Sequence, residues 1–326
     1  MQAGPQFVIV SGALGSGKTS LLEMLLSCED ASDTAVIVNE AGEINIDGAI
    51  LSESARGMTM ATLSNGCVCC SMTSDLVSTV QDLVQSREAE AKEPFARIVL
   101  ECSGLSRPGP IVSSLQELAD LRLKLHLITT YDCSRPAMQT GDFEDAVAQL
   151  AAANTIVLTK VELVSSGRRD EALQAVVGVN PFAQVVNEFS ASIRAREAFS
   201  TPGHGNVAAV EVPGVTPQRR RLLHPRTRVF RAKLGSDWSW DGALDWLENI
   251  AGALGDRLLR IKAIVPGERP GDRVLLQSVG TTFSAPRRLL AGDAAPMGAV
   301  VIARDCGRAD LSDVPTEQAV NWVDYQ

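Results

Sequence analysis

The chain of 326 residues has no apolar run long enough to span a bilayer. The one apolar run near its start, Phe7 to Val10, is too short for the core of a secretory signal. Basic surface is scarce as well. With 30 Lys and Arg against 39 Asp and Glu, the formal net charge is −9, which argues against a nucleic-acid surface. The run Arg219 to Arg221 is too short to change that and reads as a solvated linker. Seven cysteines form an odd set with no small-domain spacing, so a secreted disulfide framework is excluded and a reducing compartment expected. Internal repeats and low-complexity tracts are absent. These absences point to a soluble cytoplasmic protein without nucleic-acid or membrane partners. A hydrophobic content of 45% is enough for two domains that each bury a core.

What is present begins with a strand and a turn. Phe7-Val-Ile-Val10 is continuously apolar, as a buried parallel strand should be. It runs straight into Ser11-Gly-Ala-Leu-Gly-Ser-Gly-Lys-Thr-Ser20, in which Gly12 to Thr19 fit G-x-x-x-x-G-K-[ST]. In such a loop Gly12, Gly15, Ser16, Gly17 and Ser20 present backbone and hydroxyl groups to phosphate oxygens. Lys18 reaches the β and γ phosphates as a catalytic cation, and the Thr19 hydroxyl holds Mg²⁺. Leu21, Leu22, Leu25 and Leu26 then give the apolar stripe of a helix.

Further strands are expected at Ala35 to Asn39, Arg97 to Leu100, Leu125 to Thr130 and Thr155 to Leu158, with a helix over Asp142 to Ala153. Strand and helix alternate, which implies a doubly wound parallel sheet. Glu40, Glu43 and Asp47 follow the second strand, at the position of a switch segment; the bland alternative is a solvated acidic loop. Glu101 stands at the carboxyl end of a strand, where open parallel sheets bind ligands. It is a candidate for Mg²⁺ or its bound water and for a catalytic role, with Cys102 beside it a buried structural thiol. Thr159, Lys160 and Glu162 occupy the place where a GTPase of this topology reads guanine with Asn-Lys-x-Asp. Thr keeps only a hydroxyl there, and Glu is one methylene longer than Asp.

Gly66-Cys-Val-Cys-Cys70 puts three thiols within four positions. Soft ligands at that density suit Zn²⁺ or a similar borderline metal, and a turn after Val68 would let Cys67, Cys69 and Cys70 converge. Glu40, Glu43 or water could complete a tetrahedron. Buried thiols without a ligand, or a redox pair, are the competing readings.

Taken in order, Gly12 to Thr19, Val38-Asn-Glu-Ala-Gly-Glu43 to Asp47, Gly66 to Cys70, Glu101-x-x-Gly104 and Thr159 to Glu162 resemble the CobW family of metal-chaperone and metal-insertase GTPases. Arg257 to Val265 and Ala299 to Asp305 resemble strands of that family's C-terminal domain. The resemblance implies a P-loop NTPase fold and GTP hydrolysis, with GTP or GDP and Mg²⁺ bound. It further implies delivery of zinc, or in some branches cobalt or iron, to a client metalloprotein, and it leaves a homodimer open. Many relatives carry a histidine-rich stretch; this chain has only His126, His204 and His224, so metal storage is not expected.

The remaining sequence divides the chain. Residues 1–200 form the expected GTPase domain and 201–225, rich in Gly, Pro, Thr and Ala, the linker. Residues 226–326 are then a small α+β domain with strands at Arg226 to Leu234, Arg257 to Val265, Val274 to Val279 and Ala299 to Ala303. Trp238, Trp240, Trp246, Leu244 and Leu247 suggest a helix entering its core. Two other functional readings stand beside the metallochaperone. One is a regulatory nucleotide- and metal-binding protein with little turnover; the other is a P-loop kinase using Glu101 as base.

Overall fold

A computed structural model describes residues 4–39, 59–63, 71–135, 143–200, 226–289 and 296–324. By contacts the chain divides into two units. The first comprises Met1–Leu173 with Gln184–Pro202, the second Gln174–Ala183 with Gly203–Gln326.

The first unit contains β1 (Gln6–Gly12), α1 (Lys18–Cys28), β2 (Thr34–Asn39), β3 (Thr59–Leu63), α2 (Ser71–Ala89), β4 (Arg97–Glu101), α3 (Pro108–Ser114) and β5 (Lys124–Asp132). These are followed by α4 (Phe143–Ala152), β6 (Thr155–Thr159), α5 (Ser166–Val179), whose last turns belong to the second unit, β7 (Gln184–Val186) and α6 (Ala191–Phe199). Seven strands form one sheet in the order β3-β2-β4-β1-β5-β6-β7, and every pairing is parallel. The strands read as unbroken apolar runs because both faces are covered: Phe7 to Val10, Ala35 to Ile37, Ile98, Val99 and Ile156 to Leu158 are fully inaccessible. Leu21, Leu22, Leu25 and Leu26 of α1 pack on this sheet beside Ala195, Ala198 and Phe199 of α6. The α/β doubly wound architecture is thus as the alternation of elements implies. Sequence reading missed the edge strands β3 and β7.

The second unit adds β8 (Thr227–Lys233), α7 (Trp240–Leu254), β9 (Leu258–Pro266), β10 (Arg273–Val279), β11 (Thr282–Phe283), β12 (Arg287–Arg288), β13 (Gly298–Arg304), α8 (Arg308–Ser312) and β14 (Trp322–Asp324). Its sheet is antiparallel, in the order β11-β10-β9-β13-β8-β14 with β12 beside β10. Ser239 caps α7 by accepting from the Gly242 amide. The buried face of α7 brings Trp246, Leu247 and Ile250 onto alternate residues of the strands: Phe230 and Ala232, Ile261 and Ala263, Ala299 and Val301. The Trp246 ring lies 5.1 Å from that of Trp238 and 5.6 Å from that of Trp322, so these three tryptophans are core, with Trp240 partly buried beside them. This is the second, smaller α+β domain that the sequence leads one to expect. The expected linker, residues 201–225, lies outside the described residues.

Among the described residues no helix is long and apolar enough to cross a membrane.

Candidate nucleotide site

The strand order puts β1 between β4 and β5, so the loop leaving β1 emerges with a neighbouring strand end on each side. That is the topological switch point at which open α/β sheets bind ligands. The loop is built by backbone conformations that favour glycine. Gly17, the N-cap of α1, has φ +91°, which lets the chain turn sharply into the helix.

Lys18 is buried, and its Nζ donates to the carbonyls of Gly12 at 3.0 Å and Ala13 at 3.3 Å. Its charge is therefore fixed at the mouth of the loop. Thr19 Oγ1 donates to Glu101 Oε1 at 2.6 Å, joining the start of α1 to the end of β4. Ser16 is also buried; its hydroxyl lies 2.6 Å from Thr130 Oγ1 on β5. Ser20 is exposed on the first turn of α1. The structure thus brings Gly12, Gly15, Ser16, Gly17, Lys18, Thr19 and Glu101 to one sheet edge.

The loop after β4 closes on the phosphate loop. A Cβ added to Gly104 would lie 2.5 Å from the Leu14 amide nitrogen, so only glycine permits this approach. Gln149 of α4 holds that loop in place through its Nε2, which donates to the carbonyls of Gly104 at 3.1 Å and Ser106 at 2.9 Å. Burial drives the Cys102 thiol up to about 12, with Lys18 pulling the other way, so it is inert as a nucleophile at neutral pH.

At the base-reading position Thr159, Lys160 and Glu162 each have a partner within the chain. The Thr159 hydroxyl donates to backbone, 2.7 Å from the Ser16 carbonyl and 3.1 Å from that of Tyr131. It braces the phosphate loop from below, and its methyl would meet a Cβ on Gly17 at 3.4 Å. Lys160 adopts a left-handed conformation, φ +56°, and its Nζ donates to Asp132 Oδ2 at 2.6 Å. Glu162 is half-exposed and pairs with Arg194 at 3.5 Å.

Asp132 was not singled out by sequence, yet it organises this corner. It ends β5 as Glu101 ends β4, and a carboxylate at a strand's carboxyl edge was the available signal. Its Oδ1 accepts from the Ser134 amide at 2.8 Å and hydroxyl at 2.6 Å. Burial raises its pKa, but the hydrogen bonds from Lys160 and Ser134 outweigh this and hold the carboxyl below its ordinary value. Arg135 also pairs with Asp132, at 3.5 Å, and its Nη2 stands 3.1 Å from where a Gly15 Cβ would be. A guanidinium therefore overhangs the phosphate loop.

Cys67, Cys69, Cys70, Glu40, Glu43 and Asp47 lie outside the described residues. Among the described residues no group of three or more His, Cys, Asp or Glu is placed to hold a metal ion. The elements flanking these segments are described. Asn39, which precedes Glu40, is the register partner of Leu63, four residues before Cys67, and Val38 is the partner of Glu101.

Comparison with known proteins agrees with this geometry. Residues 6–187 match the CobW/HypB/UreG nucleotide-binding domain. The chain is 27% identical over 298 residues to the zinc chaperone YjiA of Escherichia coli K12, covering 90% of this chain and 92% of that one. It is 28% identical over 263 residues to zinc-regulated GTPase metalloprotein activator 1 of Dictyostelium discoideum, covering 69% and 54% of the two chains. The crystal structure of Zn(II)-bound YjiA GTPase from E. coli superposes with a TM-score of 0.66 at 20% identity, over 97% of this chain and all of that one, which establishes a shared fold. With a phosphate loop at the switch point and the family's domain matched from β1 to β7, the chain belongs to the CobW/HypB/UreG nucleotide-binding family.

Proposed function

We propose that this protein is a GTP-hydrolysing metallochaperone. It binds a transition metal, zinc first, at Cys67, Cys69 and Cys70, and delivers it to a client metalloprotein under nucleotide control. Relatives named as zinc chaperones and a zinc-regulated GTPase support the class of activity. The observation that carries the coupling is strand register. Asn39 and Leu63 end adjacent strands, and Glu101 ends the strand on the other side of β2, so the segment after β2 leaves the sheet beside the Thr19–Glu101 pair and the segment after β3 leaves one strand further out. On this reading a γ-phosphate that orders the segment after β2 bears on the segment that follows the neighbouring strand β3 and carries the thiols, and hydrolysis releases that constraint.

The residues present fit Mg²⁺. Thr19 Oγ1 and Glu101 Oε1 are hard oxygen donors 2.6 Å apart at the mouth of the loop, and Thr19 together with Glu101 would hold the ion. When bound, Mg²⁺ neutralises charge on the β and γ phosphate oxygens. The chain's own contribution is electrostatic. Lys18 and the loop amides stabilise phosphate charge, Lys160 held by Asp132 lines the base side, and the loop closed by Gly104 covers the phosphate end.

The test is zinc titration of the full chain in GTP and GDP states, alongside GTP turnover with and without zinc. Tighter zinc binding with GTP, stimulated turnover, and loss of both when Cys67, Cys69 and Cys70 are changed to Ser are expected. Equal zinc affinities in the two nucleotide states would overturn the coupling, and zinc-independent turnover would leave only a GTPase.

A further inference from the structure

The second sheet carries a face that the nucleotide chemistry does not use. Its strands alternate, so the residues between those packed on α7 point to the opposite side: Arg231 and Lys233 on β8, Arg260, Lys262 and Ile264 on β9, Gly298 and Val300 on β13. Register aligns them in rows. Lys262 lies opposite Val300, which lies opposite Arg231; in the next row Ile264 lies opposite Gly298, and Gly298 opposite Lys233. Lys262 and Arg231 are thus two strands apart, with backbones roughly 10 Å from each other. The side chain between them is only a valine.

This face contains a cavity of about 60 Å³. It is lined by Arg231, Lys233, Lys262 and Phe182, with Gly298 and Val300 among its walls, and all of these belong to the second unit. A water needs some 10–15 Å³ by this measure, so the space admits a tetrahedral oxyanion with room for water. Among the described residues no carboxylate lines it.

Lys262 is partly buried, and among the described residues it has no ion pair. Among the described residues the charges acting on it are those of Arg260 and Arg287, both of its own sign. Arg260 is itself buried and donates to Gln277 Oε1 at 3.1 Å. A fold that places an ammonium among guanidiniums with no counter-charge forgoes stability unless an anion arrives. The concentration of like charge is also local, since the chain as a whole is acidic, with a net charge of −9.

We propose that this cavity is a binding site for a compact oxyanion of the phosphate class, held between Lys262 and Arg231 with Lys233 at its rim. Two cations facing each other across a small residue match a tetrahedral dianion, and Arg presents a fork of donors to its oxygens. Nothing in the proposed hydrolysis cycle requires this site, so its failure leaves that reading untouched.

The probe is inorganic phosphate at millimolar concentration, titrated into the full chain by calorimetry and by thermal denaturation. Saturating GDP and Mg²⁺ occupy the phosphate loop throughout. A saturable response is expected in the wild type, with affinity reduced at least tenfold in Lys262→Met and in Arg231→Met. Lys262→Met is also expected to be more stable than the wild type when phosphate is absent, because an uncompensated charge is gone. Acetate at matched ionic strength tests for a carboxylate instead; an equal acetate response would overturn the assignment to phosphate. Phosphate raises stability generally by exclusion from protein surfaces, so an equal response in wild type and both variants would overturn the site. Asp293, three residues before the lining Pro296 in sequence, lies outside the described residues. A phosphate response that appears only in Asp293→Asn would also overturn the proposal.

Discussion

The two sheets handle buried charge in opposite ways. In the parallel sheet, the charged residues at the strand ends are held by oriented partners: Lys18 by loop carbonyls, Glu101 by Thr19, Asp132 by Lys160 and Ser134. In the antiparallel sheet, Arg260, Lys262, Arg231 and Lys233 share one face, and among the described residues Lys262 has only cations acting on it. The first pattern is a preorganised site, in which dipoles and charges are fixed before a ligand arrives, so little reorganisation is needed on binding. The second is a face whose charge is balanced from outside. The first site should therefore lose function when one partner is removed, whereas the second should gain stability when its cation is removed.

The largest effect is expected at Lys18. Lys18→Ala removes the fixed cation of the loop and should lower GTP turnover by about a hundredfold or more, the usual scale for a preorganised charge. Thr19→Val, which keeps shape but loses the hydroxyl, should abolish the magnesium dependence of nucleotide binding. Both are checked by nucleotide titration with and without Mg²⁺. Retained magnesium-dependent binding in Thr19→Val would show that the Thr19–Glu101 pair is only a structural brace.

Asp132→Asn comes next. It leaves Lys160 in a left-handed turn without its carboxylate, at a position where the Asp132 side chain is only 5% exposed. Nucleotide affinity should fall about tenfold and stability by about 1–3 kcal/mol, the range for losing a charged hydrogen bond from a buried group. Denaturant unfolding and nucleotide titration read the two effects separately. The same substitution at exposed Glu162, as Glu162→Gln, sharpens the contrast. If Glu162 meets the base it should change the preference for GTP over ATP, whereas loss of its pair with Arg194 alone should change almost nothing.

Much of this was legible in the sequence, and the rest was hidden for identifiable reasons. The strands β1, β2, β4, β5 and β6 announce themselves as apolar runs because they are buried on both faces. β3 does not, since Thr59-Met-Ala-Thr-Leu63 is a half-covered edge strand with little β-branched content beyond its threonines. The phosphate loop is local in sequence, so its pattern and its geometry coincide. The base-reading corner is not local. Asp132 and Lys160 are 28 residues apart, and only the pairing of β5 with β6 reveals that they meet. Thr159 shows the converse, because a position aligned with a base-reading motif turns its hydroxyl toward the loop backbone. The strands of the second unit were readable by alternation, but the common face of their cations depends on register, which a single strand does not carry.

An effect of comparable size on stability separates the sheets by pH. His126 of β5 is buried between Gln6 and Thr155. Desolvation first, and Arg97 second, push its pKa from 6.5 down to about 4. Between those values the unfolded chain binds the proton and the folded one does not. Stability conferred by the neutral ring is therefore complete above pH 6.5 and is lost as pH falls toward 4, by about 2–3 kcal/mol. His126→Gln should flatten that part of the stability profile, measured by denaturant unfolding at pH 7 and 4.5; an unchanged profile would mean that the acid sensitivity lies with carboxylates such as Asp132.

The smallest effect lies on the other side of neutrality, in the second sheet. Burial, then Arg260 and Arg287, lower the pKa of Lys262 from 10.5 to about 7. From pH 7 upward the folded chain has released a proton that the unfolded chain keeps to about 10.5, so stability should rise with pH across that window. Among the described residues the charged groups around Lys262 are guanidiniums and Lys233, its cross-strand partner Gln277 is uncharged, and Lys262 is only partly buried. Solvent screening therefore reduces the gain between pH 7 and 9 to about 1 kcal/mol. Lys262→Met should remove it. Because a bound oxyanion stabilises the ammonium, phosphate should also remove it in the wild type, restoring at pH 7 the stability otherwise reached only when the lysine is neutral. A pH slope that survives both changes would place the titrating group outside this face and would break the contrast between a sheet that balances its charges internally and one that waits for an anion.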